Sequence, residues 1–340
     1  MKPARRRLLQ WAGGALLVLL LGLGAAAGLR VVLLKHRAAS GTSAPVVVRL
    51  PRGSGLRQVA RLLSRAGVVD HPRLFVLAAR LSGRGTGLKA GEYRLSAAMS
   101  YGAILEHLHR GRVLLHQVVI PEGFTLAQIA RRLAARGLVD RQRFLALARD
   151  PDFARSLGIA APSLEGYLFP ATYRLPRGLG ERAVLARMVR RFLKEWRRLA
   201  PLARRRGMSR HQVVTLASII EREAKLPFER RLISAVYHNR LKKNMPLQAD
   251  PTVIYGLEGF DGNLTRRDLA SDTPYNTYLH RGLPPGPICS PGAASLKAAL
   301  DPAPVDYLYF VARGDGSHHF SASYRQHARA VRRYQKRRRP

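Results

Sequence analysis

Val213-Val214-Thr215-Leu216-Ala217-Ser218-Ile219-Ile220-Glu221 is apolar almost all the way round until its last residue. As a helix it belongs inside a core. Ser209, just upstream, suits its N-cap. Glu221 continues the face of Ala217 and Ser218, at helical spacings of four and three. A carboxylate at the edge of an apolar helix loses hydration, which favours its neutral form and raises its pKa. An acid still protonated near neutral pH is what glycosidic bond cleavage needs. Lys225, four residues on, offers Glu221 an ordinary ion pair instead. Glu223 is rotated well away from Glu221, and a substitution there is expected to cost far less.

Around this run, from about residue 160, aromatic, Gly and Pro motifs appear in non-periodic order. Helices are predicted at 182–196, 209–224 and 228–241. Upstream the chain is duplicated. Val48-Arg49-Leu50-Pro51-Arg52-Gly53 aligns with Val118-Val119-Ile120-Pro121-Glu122-Gly123, and the register holds through Leu77-Ala78 and Leu147-Ala148. Each copy reads as a strand, a Pro-x-Gly turn, an amphipathic helix stopped by Gly, and a second helix capped by Asp. Residues 88–95 read as a strand and 101–109 as a short helix. The fold class expected is α+β. The divisions expected are a tail (1–7), an anchor (8–34), a linker (38–45), a first module (46–117), a second strand-helix-helix unit (118–159), a catalytic domain (160–334) and a basic tail (335–340).

Lys2, Arg5, Arg6 and Arg7 precede an uncharged stretch over 8–29, extended past Arg30 by residues 31–34. About 20 apolar residues cross a bilayer, so a retained single-pass anchor is expected. Its tail would lie in the cytoplasm and the body outside. The rival is a cleaved signal peptide, since Ala25-Ala26-Ala27 resembles a cleavage site. The net charge of +38 over 340 residues implies an anionic partner or simply a basic proteome. No zinc-finger spacing or RNA-recognition signature is present, so nucleic acid is not the expected partner. Cys289 is the single cysteine, which excludes an intrachain disulfide. His318, His319 and His327 lack a Cys or carboxylate partner at metal-ligand spacing, so neither metal nor cofactor is expected.

Six segments carry a family resemblance: Leu164-Glu165-Gly166-Tyr167-Leu168-Phe169-Pro170; Ala217 to Ala224; Val236-Tyr237-His238-Asn239-Arg240-Leu241; Met245 to Val253, containing Gln248-Ala249-Asp250-Pro251; Pro274-Tyr275-Asn276-Thr277-Tyr278 with Gly282 to Ile288; and Tyr307 to Val311 with His318, Phe320 and His327. In this order they resemble the YceG-like endolytic murein transglycosylases (MltG family), over about residues 45–334. The first module with its returning strand resembles, in layout, the LysM type of peptidoglycan-binding domain. The family resemblance implies an inner-membrane protein facing the cell wall. It implies cleavage within glycan strands at the MurNAc–GlcNAc β-1,4 bond, leaving a 1,6-anhydro-MurNAc end, coupled to synthesis during elongation and so to peptidoglycan synthases. It assigns Glu221 as the catalytic glutamate.

A lytic transglycosylase needs no water. One residue protonates the leaving oxygen and then, as carboxylate, takes the proton of the sugar's own 6-hydroxyl. By type and motif, the substrate-binding candidates are Glu165, Tyr167, Gln248, Asp250, Tyr275 and Asn276. For Asp250 the alternative is an Asx turn into Pro251; for Tyr275 and Asn276 it is loop packing; for Glu165 it is an arginine partner. Asn239 and Arg240 read equally well as structural. The chain departs from the family pattern at Ala171, Ala249 and Ser290, which touches substrate contacts more than the reaction class. Competing readings are a muramidase-type hydrolase with Asp250 as second carboxylate, a non-catalytic peptidoglycan-binding scaffold, and an anchored nucleic-acid binder.

Overall fold

The computed structural model describes residues 3–37 and 44–336. Most of the expected linker (38–45), most of the basic tail (335–340) and the start of the tail at 1–7 lie outside them. The fold is α+β, in two compact units: Met1–His116 with Pro176–Gly178, and Gln117–Leu175 with Leu179–Pro340.

The first unit contains α1 (Pro3–Lys35), β1 (Val46–Leu50), α2 (Leu56–Arg65), α3 (Pro72–Leu81), β2 (Gly91–Leu95) and α4 (Tyr101–Arg110). β1 and β2 are antiparallel, with Val48 opposite Tyr93. Leu50, Leu63, Phe75, Tyr93, Tyr101 and Leu105 fill the core beneath them. Most of α1 is an apolar cylinder with its leucines exposed: Leu16 to Leu21 are each more than half accessible. Over Gly14–Lys35 it is long and apolar enough to cross a membrane. Its last turn differs, because Leu33 is buried in the core of the first unit.

The second unit begins within β3 (His116–Ile120). It continues through α5 (Leu126–Ala135), α6 (Arg141–Ala148), α7 (Pro151–Ser156), β4 (Ala171–Leu175), α8 (Glu181–Arg205), α9 (Arg210–Glu223), α10 (Arg230–Lys242), α11 (Asp250–Gly256), α12 (Arg266–Leu269), α13 (Ala293–Leu300), β5 (Tyr309–Ala312), β6 (His318–Ser321) and α14 (Tyr324–Val331). β3 pairs with β4, so the second copy of the repeat has a returning strand too. The sequence reading assigned one only to the first copy. Each copy turns at a glycine in the left-handed region, Gly53 (φ 76°) and Gly123 (φ 75°), where a side chain is disfavoured. Val118, Ile120, Leu133 and Phe144 share one core with Val213, Leu216 and Ile220 of α9.

Ser209 caps α9 as expected, in a reciprocal box with Gln212. α8 runs past the predicted end at residue 196 and through Pro201, because Leu199 and Leu202 pack on the core and Ala203 is buried in it. α10 starts two residues later than predicted, after a 3-10 turn over Pro227–Glu229. Asp140 caps α6, accepting from the Arg143 N–H at 2.8 Å. Its counterpart Asp70 does not cap α3. Pro72 makes His71 the N-cap, and Asp70 is engaged elsewhere.

Candidate active site

α9 carries two glutamates in its last turn, and they face different surroundings. Glu221 is held between two donors. The Gly292 N–H donates to Oε2 at 2.9 Å, and the Arg230 guanidinium lies 3.6 Å from Oε1. The side chain is 6 % exposed. Arg230, rather than Lys225, is the ion-pair partner because the helix stops at Glu223: Ala224 is extended (ψ 110°) and breaks the i,i+4 spacing. Glu122 joins this junction from the turn after β3. Burial and the negative charge of Glu221 push its carboxyl up, against the pull of Arg230. The Gly123 N–H donates to the Ser290 carbonyl, and the Ser290 N–H to the Phe124 carbonyl. Loop 288–292 is thereby locked to the turn, with Glu221 as one of the bolts.

Glu223 is different. Its carboxyl is pushed up to about 7, first by burial and then by the negative charge of Asp250, against a hydrogen bond from Tyr237 and the charge of Arg222. The Tyr237 hydroxyl donates to Oε1 at 3.3 Å. Burial pushes that hydroxyl far above its ordinary pKa, so it stays a donor. Asp250 opens α11, with Pro251 behind it, and accepts from the Tyr278 hydroxyl at 2.5 Å. It starts a helix rather than forming the Asx turn considered from sequence. A carboxyl titrating near neutral pH beside a second carboxylate is the arrangement acid–base chemistry requires.

Arg222 and Pro251, chain neighbours of Glu223 and Asp250, line a cavity of about 590 Å³ together with Glu165, Tyr255, Arg149 and Gln128. Glu165 is 6 % exposed. It accepts from the Leu126 N–H at the start of α5, the Gly166 N–H and the Tyr255 hydroxyl. Burial pushes its carboxyl up to about 7, against those donors and Arg149. It is a wall of the cavity rather than a simple arginine partner. Tyr275 stands beside it, its ring 4.9 Å from that of Tyr255.

Gln248 is exposed and sits at φ 49°, a strained position for a side-chain-bearing residue. The buried Arg240 holds it there, donating to Gln248 Oε1 and to the Pro246 and Leu247 carbonyls. Asn239 clamps the Val305 and Tyr307 carbonyls. Both residues at this helix end are structural.

Two candidates lie in the interior. Tyr167 is 1 % exposed, packs edge-on against Phe192, and spends its hydroxyl on His211. It is core and lines no groove. Asn276 is fully buried. Its amide donates to the Leu269 and Ser271 carbonyls and its oxygen accepts from the Tyr278 N–H. No polar atom of that side chain is left for a sugar; its work is to set the loop that presents Tyr278. Tyr237, Tyr255 and Tyr278 were not among the sequence candidates, and Glu223 was weighed there as the lesser of the two glutamates. The one grouping of metal-ligating side chains among the described residues, His36, Asp70 and His71, lies in the first unit.

The family model for YceG-like proteins matches residues 48–333. A Bacillus subtilis relative named endolytic murein transglycosylase is 33 % identical over 305 residues, covering 85 % of this chain and 84 % of the relative. A Streptococcus pneumoniae relative of the same name is 31 % identical over 318 residues, covering 84 % of this chain and 58 % of the relative. The crystal structure of a yceG-like protein from Listeria monocytogenes superposes with a TM-score of 0.59 at 34 % identity, covering 85 % of this chain and all of the other. With the family model spanning both units and relatives above 30 % identity along most of the chain, the protein belongs to the YceG-like family.

Proposed function

We propose that this chain is a lytic transglycosylase of peptidoglycan that cuts within glycan strands. It breaks the MurNAc–GlcNAc β-1,4 bond and leaves a 1,6-anhydro-MurNAc end. The observation that carries this reading is Glu223: a carboxyl pushed up to about 7, beside Asp250, one residue along α9 from Arg222 in the wall of a cavity of about 590 Å³. The names of the relatives support it. Protonated Glu223 gives its proton to the glycosidic oxygen as the C1–O bond breaks. The carboxylate then accepts the proton of the 6-hydroxyl as O6 bonds to C1, so one group returns to its starting state and no water is consumed. Asp250 keeps Glu223 protonated before the step and offers negative charge to the oxocarbenium-like sugar during it. Glu221, which the family resemblance assigns as the catalytic glutamate, takes a positioning role in this proposal by holding loop 288–292. The same Asp250 is what a muramidase-type hydrolase would use as second carboxylate. Purified glycan strands should yield fragments one water lighter than hydrolysis products. Fragments at the hydrolytic mass would establish the muramidase reading instead.

In this proposal α1 is a retained anchor with its N-terminus in the cytoplasm. The first unit is a LysM-like wall-binding module, and the enzyme ends nascent strands during elongation. Carbonate-washed membranes should keep the full-length protein. A soluble form beginning near residue 28 would show a cleaved signal peptide.

A further inference from the structure

Three side chains from two distant segments converge at the end of the apolar helix. His36 follows α1 directly, and Asp70 and His71 precede α3. Their ligand atoms all lie within 4.8 Å of one another. The Nε2 atoms of His36 and His71 stand 3.0 and 3.7 Å from the same carboxylate oxygen, Asp70 Oδ2. Donors bound at 2.0–2.2 Å around a tetrahedral ion sit about 3.3–3.6 Å apart, between the two observed separations. The Asp70 carboxylate is shared: His36 Nε2 stands 3.1 Å from Oδ1 and 3.0 Å from Oδ2, and Oδ1 also accepts the Tyr101 hydroxyl and the His71 N–H, which fixes the carboxylate beside the imidazoles. A ligating carboxylate fixed through its other oxygen is the usual outer-shell arrangement of a metal site. The His36 ring packs edge-on to Tyr101, itself packed on Phe75, so one side is rigid and apolar. His71 is 62 % exposed and has room to close.

We propose that His36, Asp70 and His71 form a divalent transition-metal site, with zinc the ion best matched to two imidazoles and one carboxylate. Solvent supplies the fourth ligand. The expectation of no metal rested on the C-terminal histidines; here the ligands come from segments 34 residues apart and no spacing rule connects them. A bound ion ties the end of α1 to the start of α3, so its role is to brace the first unit on its helix. The proposal is independent of the reading of Glu223.

The test uses the untagged full-length protein in detergent, titrated with Co²⁺ as the spectroscopic stand-in for Zn²⁺. One equivalent per chain should bind, with the strong visible bands of tetrahedral cobalt. Tyr101→Phe keeps the core ring but frees Oδ1, and should weaken binding about 10–100-fold, as outer-shell losses do. His71→Ala removes a ligand from an exposed position and should weaken it at least as much. His280→Ala, at an exposed histidine in the other unit, should change nothing. Absence of saturable binding would overturn the site. Equal weakening by His71→Ala and His280→Ala would do the same, since it shows only non-specific histidine binding.

Discussion

Glu223→Gln is expected to lower release of anhydro-ended fragments by at least roughly 10²–10⁴-fold, the usual worth of general acid–base catalysis, while glycan binding persists. Glutamine keeps the shape and still accepts from Tyr237, but it cannot deliver a proton. Glu221→Gln still accepts from the Gly292 N–H and loses only its pairing with Arg230, so its loss should be far smaller. The wild-type rate should fall as pH rises through about 7, where Glu223 gives up its proton. Stability follows the same sign. The folded carboxyl lies above its ordinary value of 4.5, so the contribution is complete below that value and is lost as pH rises through about 7. Glu223→Gln should erase that part of the pH dependence of the thermal midpoint. Mass-resolved product release and thermal melts across pH decide the matter. A larger loss in Glu221→Gln than in Glu223→Gln would return the catalytic role to Glu221.

Gly166→Ala should destabilise the protein severely. Gly166 follows Glu165 at φ +81°. An added Cβ would sit 2.5 Å from Pro287 Cβ and 2.9 Å from Val214 Cγ1. Overpacking costs about 1–3 kcal/mol, and left-handed backbone about 1–2 kcal/mol more. At about 2–4 °C per kcal/mol for a body of this size, the midpoint should fall by roughly 4–20 °C. Gly158→Ala is the control: φ is +79° but nothing lies within 4 Å of the new atom. If both variants melt alike, close packing at Gly166 is not what that position serves.

The repeat, the buried α9 and its cap were legible because each rests on local periodicity and turn chemistry. Which glutamate has a second carboxylate beside it was not. The spacing argument that placed Glu221 on the face of Ala217 and Ser218 places Glu223 on that of Ile219 and Ile220, the more apolar face, and this signal was available. What no helix wheel supplies is the partner: Asp250 and Tyr237 reach Glu223 from other helices, while Gly292 and Arg230 reach Glu221. Tyr167 and Asn276 show the converse. Polar residues in aromatic, turn-rich motifs look like sugar contacts, and only the fold reveals that their hydrogen bonds are already spent internally.

The end of α1 is built into the first unit: Leu33 lies in its core, and the Tyr101 N–H donates to the His36 carbonyl at 2.9 Å. The apolar length of α1, the 22 residues Gly14–Lys35, is about 33 Å, against a hydrocarbon layer of about 30 Å. With α1 in a bilayer, its apolar length is matched to the lipid by leaning, and a thinner membrane makes it lean further. A flexible leash would absorb that change. A helix fused to its load cannot, so for the anchored protein proposed above the angle of the small unit would follow membrane thickness, with lipid composition a mechanical input to it.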